Sequence, residues 1–235
     1  MSRRTDQVLK TVLFDLYDTL VYVPETAYRT RTEHFAKLCG VSPSEFSAAW
    51  RGVAKQSIVG EFPDTTQRVR AVLRILRIQR QPKLASAIAA MEHDFLRRYA
   101  TVYDDVLDAL EGLRTFRLQL GLVTNASPSV WITLRATGLD AVFNAIVASS
   151  EVRVCKPDSG IYTAALNKLD TRPTEAAFVG DGADSELNGA HALGLTTVRL
   201  DRNPCGKRYC PSAVDFVIRS LSELPQTLGF VRNVR

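Results

Sequence analysis

The sequence has no long apolar run and little cysteine. None of its apolar stretches approaches the roughly 20 residues that cross a bilayer, and its first seven residues are polar, with no apolar signal segment behind them. The four cysteines are too scattered for a disulfide framework and lack the paired spacing of a zinc site; they are Cys39, Cys155, Cys205 and Cys210. We therefore expect a cytoplasmic protein with reduced thiols and no membrane partner.

The composition is that of a globular protein with an arginine-based positive charge. The chain has 235 residues, of which 46% are hydrophobic and 23% charged, which is enough to bury a substantial core. The net charge of +5 can raise the local concentration of anionic substrates. The densest basic run, at positions 68, 70, 74, 77 and 80, is interleaved with Val69, Val72, Leu73 and Leu76 at helical spacing. This pattern predicts an amphipathic helix with a solvated basic face, and we expect no nucleic-acid partner.

Short apolar runs alternate with helical patterns over most of the chain. Six runs are predicted as strands, at residues 8–14, 120–123, 145–148, 176–179, 197–200 and 215–218. Helical periodicity lies between them at 106–116, 130–137, 159–169 and 186–193. This alternation predicts an α/β fold, a Rossmann-like doubly wound parallel sheet covered by helices on both faces.

The segment 22–99 interrupts this alternation. It shows helix after helix with no convincing strand, and prolines at 24, 43, 63 and 82 separate them. We predict that this segment is an inserted all-helical domain and that residues 1–21 and 100–235 form the α/β core. Hinges are expected near 21–24 and 99–105.

Polar residues follow the predicted strands where a parallel sheet binds its ligands, beyond the carboxyl ends. They are Asp15, Thr124 with Asn125, and Asp181, and Lys156 follows the third strand by a short loop. Asp15 can attack phosphorus, Thr124 and the Asn125 amide can bind phosphoryl oxygens, and Lys156 can neutralise charge on both. Asp181 with Glu186 can hold a hard cation, and Mg²⁺ suits such oxygen ligands.

Four motifs in order resemble those of the haloacid dehalogenase superfamily. They are Phe-Asp-Leu-Tyr-Asp-Thr-Leu at 14–20, Leu-Val-Thr-Asn at 122–125, Cys-Lys-Pro-Asp at 155–158 and Val-Gly-Asp-Gly-Ala-Asp-Ser-Glu-Leu at 179–187. The helical insert sits where subclass I of that family places its cap. The resemblance implies a hydrolase that cleaves a small phosphorylated metabolite through an aspartyl intermediate on Asp15, with Thr124 and Lys156 as further catalytic residues.

The resemblance also implies a ligand set. Mg²⁺ would be held by Asp15, the Tyr17 backbone carbonyl and Asp181, and Glu186 stands where the family usually has a second acidic residue. Substrate would contact Tyr17, Thr124, Asn125 and Lys156.

Tyr17 departs from the pattern of family phosphatases, which carry a second aspartate there as the general acid and base. Losing that group, worth about 10² to 10⁴ in rate, should slow the cleavage of unactivated esters, and Asp18 is the adjacent carboxylate. The tyrosine is similar to that of the 2-haloacid dehalogenases, whose halide leaving group needs no proton. A second alternative is a metal- or phosphate-binding protein with little turnover. We rank the metal-dependent phosphatase first, because Asp15, Asp181 and Glu186 would repel one another without a cation.

Other residues have weaker claims. His34, His93 and His191 are isolated and receive no catalytic role. Candidates for facing the active site from the insert are Tyr28, Arg29, Arg31, Trp50, Arg51, Gly60 and Glu61, although core aromatics and surface arginines explain them as well. Lys207 and Arg208 are possible substrate contacts in a loop. The sequence leaves open whether the protein is a monomer or a homodimer.

Overall fold

A computed structural model describes residues 8–78, 81–202 and 214–230. Its strands are β1 (Thr11–Phe14), β2 (Val21–Tyr22), β3 (Thr101–Val102), β4 (Gln119–Thr124), β5 (Ala145–Ala148), β6 (Ala176–Gly180), β7 (Thr196–Leu200) and β8 (Phe216–Ile218). Six of them form one parallel sheet in the order β5-β4-β1-β6-β7-β8. The predicted α/β class and parallel sheet are confirmed, with strand ends moved by one to three residues.

Strand β1 lies at the centre of the sheet and is buried on both faces. Phe14 pairs in register with Leu122 of β4 and with Val179 of β6. Successive side chains of a strand point to opposite faces, so Val12 and Phe14 join one hydrophobic cluster while Leu13 joins the other. The apolar run from Val12 to Phe14 suits such a position because it meets no solvent.

Helices cover the sheet and fill the insert. They are α1 (Glu25–Cys39), α2 (Pro43–Gly52), α3 (Ala54–Ile58), α4 (Thr65–Ile75), α5 (Pro82–Tyr99), α6 (Val106–Thr115), α7 (Val130–Thr137), α8 (Ser149–Val152), α9 (Ser159–Lys168), α10 (Glu186–Leu193) and α11 (Leu224–Thr227). The predictions for α7 and α10 match to the residue. The four-residue helix α8 was not predicted, because one helical turn is too short to show a period. No helix of the described ranges is long and apolar enough to span a bilayer.

Helices α1, α2, α4 and α5 enclose a hydrophobic cluster of their own, to which Phe35, Phe46, Val69 and Ile88 belong. The chain enters and leaves this helical segment through β2 and β3, which pair antiparallel. Helix α5 also packs against α7 of the α/β part. We accordingly propose the helical segment 22–99 as a cap domain and 1–21 with 100–235 as the core domain.

The basic run of α4 differs from its prediction at one position. Arg70 and Arg74 are exposed, and Val69 and Leu73 are buried, as an amphipathic helix requires. Arg68, however, is partly buried and stacks on the ring of Trp50. Residue 68 therefore belongs to the interior of the cap and not to its solvated face. Position 80 lies outside the described residues.

Candidate active site

Three neighbouring strands bring the predicted site residues to one edge of the sheet. Asp15 directly follows β1, Thr124 is the last residue of β4, and Asp181 directly follows β6. Because β4, β1 and β6 are adjacent and parallel, their carboxyl ends meet. The order of strands in the sheet, which no local pattern specifies, is what gathers residues more than a hundred positions apart.

Lys156 links two carboxylates in the interior. Its Nζ donates to Oδ1 of Asp15 and, at 2.5 Å, to Oε2 of Glu186. All three side chains are buried. Burial alone would lower the pKa of Lys156, but the charges of Asp15 and Glu186 outweigh it and raise that pKa. The lysine is therefore a fixed cation beside Asp15.

Glu186 is held from three directions at the start of α10. Its Oε1 accepts a hydrogen bond from the Gly182 N–H at 3.1 Å, and its backbone carbonyl accepts one from the Tyr162 hydroxyl at 2.7 Å. Burial raises the pKa of Glu186, Lys156 opposes that rise, and the charge of Asp15 adds to it. A Cβ on Gly180 would lie 2.0 Å from Oε1 of Glu186. Only glycine at 180 leaves room for this carboxylate.

A carboxylate cluster adjoins the lysine. Oxygens of Asp15, Asp181 and Glu186 all lie within 4.8 Å of one another. Burial, and then the charge of Asp15, raises the pKa of Asp181, although the Ala183 N–H donates to its Oδ1 at 3.0 Å. Three carboxylates face one lysine, so the site has an excess of negative charge. This set of hard oxygen donors fits Mg²⁺.

Asn125 braces the loop that carries Lys156. Its Oδ1 accepts from the Lys156 backbone N–H at 2.8 Å, and its Nδ2 donates to the Lys156 carbonyl at 3.1 Å and to Oδ2 of Asp184 at 3.2 Å. The side-chain amide is thus occupied by protein partners. Its predicted contact with substrate would fall to the backbone amide.

The Tyr17 hydroxyl is turned toward α7. It shares a hydrogen bond of 3.0 Å with Oγ1 of Thr133, a buried residue of that helix. Burial raises the pKa of Tyr17, and the nearby charges of Glu92 and Asp15 add to the rise. At neutral pH the side chain is therefore a neutral phenol. The neighbouring Asp18 adopts φ 58°, and its side chain is largely exposed. Partial desolvation of its carboxyl group and the charge of Asp15 raise its pKa.

The candidates from the helical segment divide into two groups. Arg29, Arg51 and Glu61 are exposed, and Tyr28 is 37% exposed. Trp50 is buried, and the Arg31 side chain is only 10% exposed because it pairs with Glu92. Lys207 and Arg208 lie outside the described residues.

Sequence reasoning missed Glu92 and Ser149. Glu92 lies on the buried face of α5, among apolar residues such as Ile88 and Phe95. A charged residue within an apolar helix face was the sequence signal that could have identified it. Ser149 accepts the Ala126 N–H at 3.0 Å and donates to the Ile58 carbonyl at 2.6 Å. It thereby joins the helical segment to the core, a contact for which the sequence holds no signal.

Comparisons with known proteins agree with this geometry. The family model for the haloacid dehalogenase-like hydrolases matches residues 9–194. Over 198 residues the chain is 31% identical to a glyceraldehyde 3-phosphate phosphatase of Methanopyrus kandleri, covering 83% of this chain and 85% of that protein. It is 26% identical to (S)-2-haloacid dehalogenase 1 of Pseudomonas sp. strain CBS-3, covering 94% and 96%. A crystal structure of an HAD phosphatase from Thermococcus onnurineus superposes with a TM-score of 0.70 at 25% identity, covering 95% of this chain and 100% of that one.

Proposed function

This chain belongs to the haloacid dehalogenase-like hydrolases, and from that premise we propose that it is a magnesium-dependent phosphatase acting on a small phosphorylated metabolite. Its relatives carry the names of phosphatases and of 2-haloacid dehalogenases, so the family alone does not choose between the two reactions. The choice rests on the charges around Asp15.

The observation that carries the proposal is the excess of carboxylate over lysine. Asp15, Asp181 and Glu186 lie within 4.8 Å of one another, and Lys156 contacts only Asp15 and Glu186 of the three. The charge of Asp15 helps to raise the pKa values of Asp181 and Glu186, so three ionised carboxylates at this separation repel one another. A divalent cation held by Asp15, the Tyr17 carbonyl and Asp181, with Glu186 behind them, removes the conflict. When bound, Mg²⁺ would offset the negative charge of the phosphoryl oxygens and so reduce their repulsion of the attacking carboxylate.

The chain's own residues supply the remaining chemistry. A carboxylate oxygen of Asp15 attacks phosphorus, so that an Asp15–phosphorus bond forms while the bond from phosphorus to the ester oxygen breaks. Thr124 and the Asn125 amide hold the phosphoryl oxygens, and Lys156 offsets their charge. Water then attacks the aspartyl phosphate, which releases inorganic phosphate and restores Asp15. Since Tyr17 is a neutral phenol bonded to Thr133, the leaving oxygen takes its proton from solvent.

Dehalogenation is the second candidate, and Tyr17 is the observation that favours it. A halide leaves without a proton, so a tyrosine in place of an acid does not impair that reaction. In this case Asp15 would attack carbon and form an alkyl ester.

One panel separates the candidates. Purified protein would be incubated with phosphate monoesters and with 2-chloropropionate, each with Mg²⁺ and with chelator. We expect phosphate release that needs Mg²⁺ and no chloride release, and chelator-resistant chloride release would overturn the proposal in favour of the dehalogenase.

Asp15→Asn should abolish phosphate release with the fold intact by circular dichroism, because the amide is not a nucleophile. Asp140→Asn is the matched control, since Asp140 is exposed and remote from the strand ends. Full activity in Asp15→Asn would refute the assignment of the nucleophile.

A further inference from the structure

The interior of the cap contains more positive charge than its acidic partner neutralises. Arg31 of α1 and Arg68 of α4 share one buried carboxylate, Glu92 of α5. Arg31 donates from Nη1 to both oxygens of Glu92, at 3.0 and 3.1 Å. Among the residues that the structure describes, no carboxylate lies within ion-pair distance of Arg68.

Aromatic rings surround both guanidinium groups. The Arg68 guanidinium lies 4.1 Å from the centroid of the Trp50 ring, and that of Arg31 lies 5.2 Å from the same ring. Arg31 also lies 5.1 Å from each of the Tyr28 and Phe95 rings. Such contacts stabilise a cation by less than its removal from water costs. The rings therefore offset only part of the cost, and burial lowers the pKa of Arg68 to about 10.

Both arginines retain unused donors. Nε of Arg31 and Nε of Arg68 are buried and have no hydrogen-bond partner within the described ranges. A buried donor without a partner destabilises the fold. A planar guanidinium with free donors matches the two oxygens of a carboxylate or the oxygens of a phosphate.

This cluster faces the strand ends that carry Asp15. Tyr28 touches Arg31 on one side, and on the other it is close enough to Asp18 for that charge to raise its pKa. Helix α5, which carries Glu92, packs on α7, to which the Tyr17 hydroxyl is bonded. The excess positive charge of the cluster thus lies on the cap side of the proposed phosphoryl site.

We propose that Arg68 and Arg31 bind a second anionic group of the substrate, a carboxylate or a second phosphate on the leaving alcohol, and that Glu92 positions Arg31 for this contact. The inference rests on the proposed phosphatase function and names its substrate class: phosphate monoesters whose leaving group is itself an anion.

Two substrates of matched size test it. Glycerol 3-phosphate and 3-phosphoglycerate differ at one carbon, which is a hydroxymethyl group in the first and a carboxylate in the second; glycerol 1,3-bisphosphate tests the second phosphate. We expect the wild type to favour one or both anionic substrates in kcat/KM. Arg68→Gln should lose about tenfold or more on the favoured substrate and less than about threefold on glycerol 3-phosphate. Arg70→Gln, exposed on the same helix, should change neither.

Binding of the anionic substrates is measured without turnover, so that the subsite can be tested even if the protein is not a phosphatase. The chain has two tryptophans, Trp50 and Trp131, and a Trp131→Phe, Asp15→Asn background leaves Trp50 as the only indole reporter beside Arg68. Titration with 3-phosphoglycerate or glycerol 1,3-bisphosphate should change its fluorescence, and Arg68→Gln should weaken that binding about tenfold. Equal losses on neutral and anionic substrates, or unchanged binding of both anions in Arg68→Gln, would overturn the subsite. In the first case, Asp15-dependent turnover would leave the phosphatase proposal standing.

Discussion

At the scale of single residues, the surroundings of Tyr17 do not suit a proton donor. Its hydroxyl is occupied by Thr133 at 3.0 Å, and burial holds its pKa above the usual value. A phenol whose pKa is raised further above neutral pH, and whose hydroxyl is already hydrogen-bonded to Thr133, is a poor proton donor. We therefore attribute to Tyr17 a packing role against α7 and not acid–base catalysis.

Tyr17→Asp should raise kcat for an unactivated phosphate monoester by about 10² or more, because it introduces a carboxyl group two residues after Asp15. Tyr17→Phe is the control, since it removes the same bond to Thr133 without adding a carboxyl group. Both variants should lose about 1–3 kcal/mol of stability, because the Thr133 hydroxyl is buried without its partner. An unchanged or lower kcat in Tyr17→Asp would show that the tyrosine itself contributes to turnover.

At the scale of elements, close packing between α10 and the Lys156 loop holds the site in register. A Cβ on Gly189 of α10 would lie 2.2 Å from the Pro157 carbonyl oxygen. Because this oxygen is a backbone atom, no change of side-chain rotamer relieves the clash. The loop and the helix are therefore in direct contact through a glycine.

Gly189→Ala should destabilise the protein by about 1–3 kcal/mol and lower kcat, because the loop carrying Lys156 must shift. Gly112→Ala is the matched control: Gly112 is also helical, in α6, but a Cβ there meets nothing within 4 Å. It should stabilise by about 0.5–1 kcal/mol. Denaturant midpoints and kcat measure both, and equal effects of the two variants would contradict the packing argument.

A second contact between elements depends on pH. Asp105 accepts hydrogen bonds from Arg202, from the Ser220 hydroxyl and from the Leu221 N–H. Burial alone would raise the pKa of Asp105, but these donors hold it below the ordinary 3.8. Arg202 also donates to the Thr19 carbonyl, so the carboxylate ties together four separate segments beside the hinge.

The pKa of Asp105 is lower in the folded protein than in the unfolded chain. Its contribution to the free energy of unfolding is therefore complete above the unfolded-state pKa, and it is lost as the pH falls through the folded-state pKa. Asp105→Asn should cost about 1–3 kcal/mol at pH 7, and the difference from wild type should shrink below about pH 3.8. Urea unfolding at pH 7 and pH 3 measures this difference in the free energy of unfolding. Asp108→Asn, exposed on α6, is the control, and a difference that stays constant with pH would refute the argument.

At the scale of the whole molecule, the cap meets the core through backbone as well as side chains. Gly60, which follows α3, has φ +74°, and a Cβ there would lie 2.1 Å from the Ser150 carbonyl of α8. Ser149 of the same helix binds the Ile58 carbonyl. This contact sets how closely the cap approaches the strand ends.

Gly60→Ala should lower kcat/KM by about tenfold or more, because the methyl group separates cap from core and admits water. Gly40→Ala provides the control, since Gly40 has a similar φ of +66° and nothing within 4 Å of its Cβ. Both should lose about 1–2 kcal/mol through backbone strain, and Gly60→Ala should lose further stability through its clash with the Ser150 carbonyl. The kcat/KM values are therefore compared at a temperature where both variants are folded. Equal activities would show that the contact does not govern closure.

Sequence patterns by themselves determined the alternation of strands and helices and the helical insert. They also identified Asp15, Thr124, Lys156, Asp181 and Glu186 as candidates. These features depend on local chemistry: period, capping, and a polar residue placed where an apolar run stops. They are readable because each is encoded within one short segment.

Tertiary structure alone decided which of those residues touch and what the cap contains. Lys156 pairs with both Asp15 and Glu186 because the order of strands in the sheet brings their segments together. Arg68 fits the periodicity of a surface residue yet turns inward onto Trp50, and only the packing of α4 against its neighbours determines that. Charge compensation depends on which groups are neighbours in three dimensions, so the excess of negative charge at Asp15 and the excess of positive charge at Arg68 are both set by the fold.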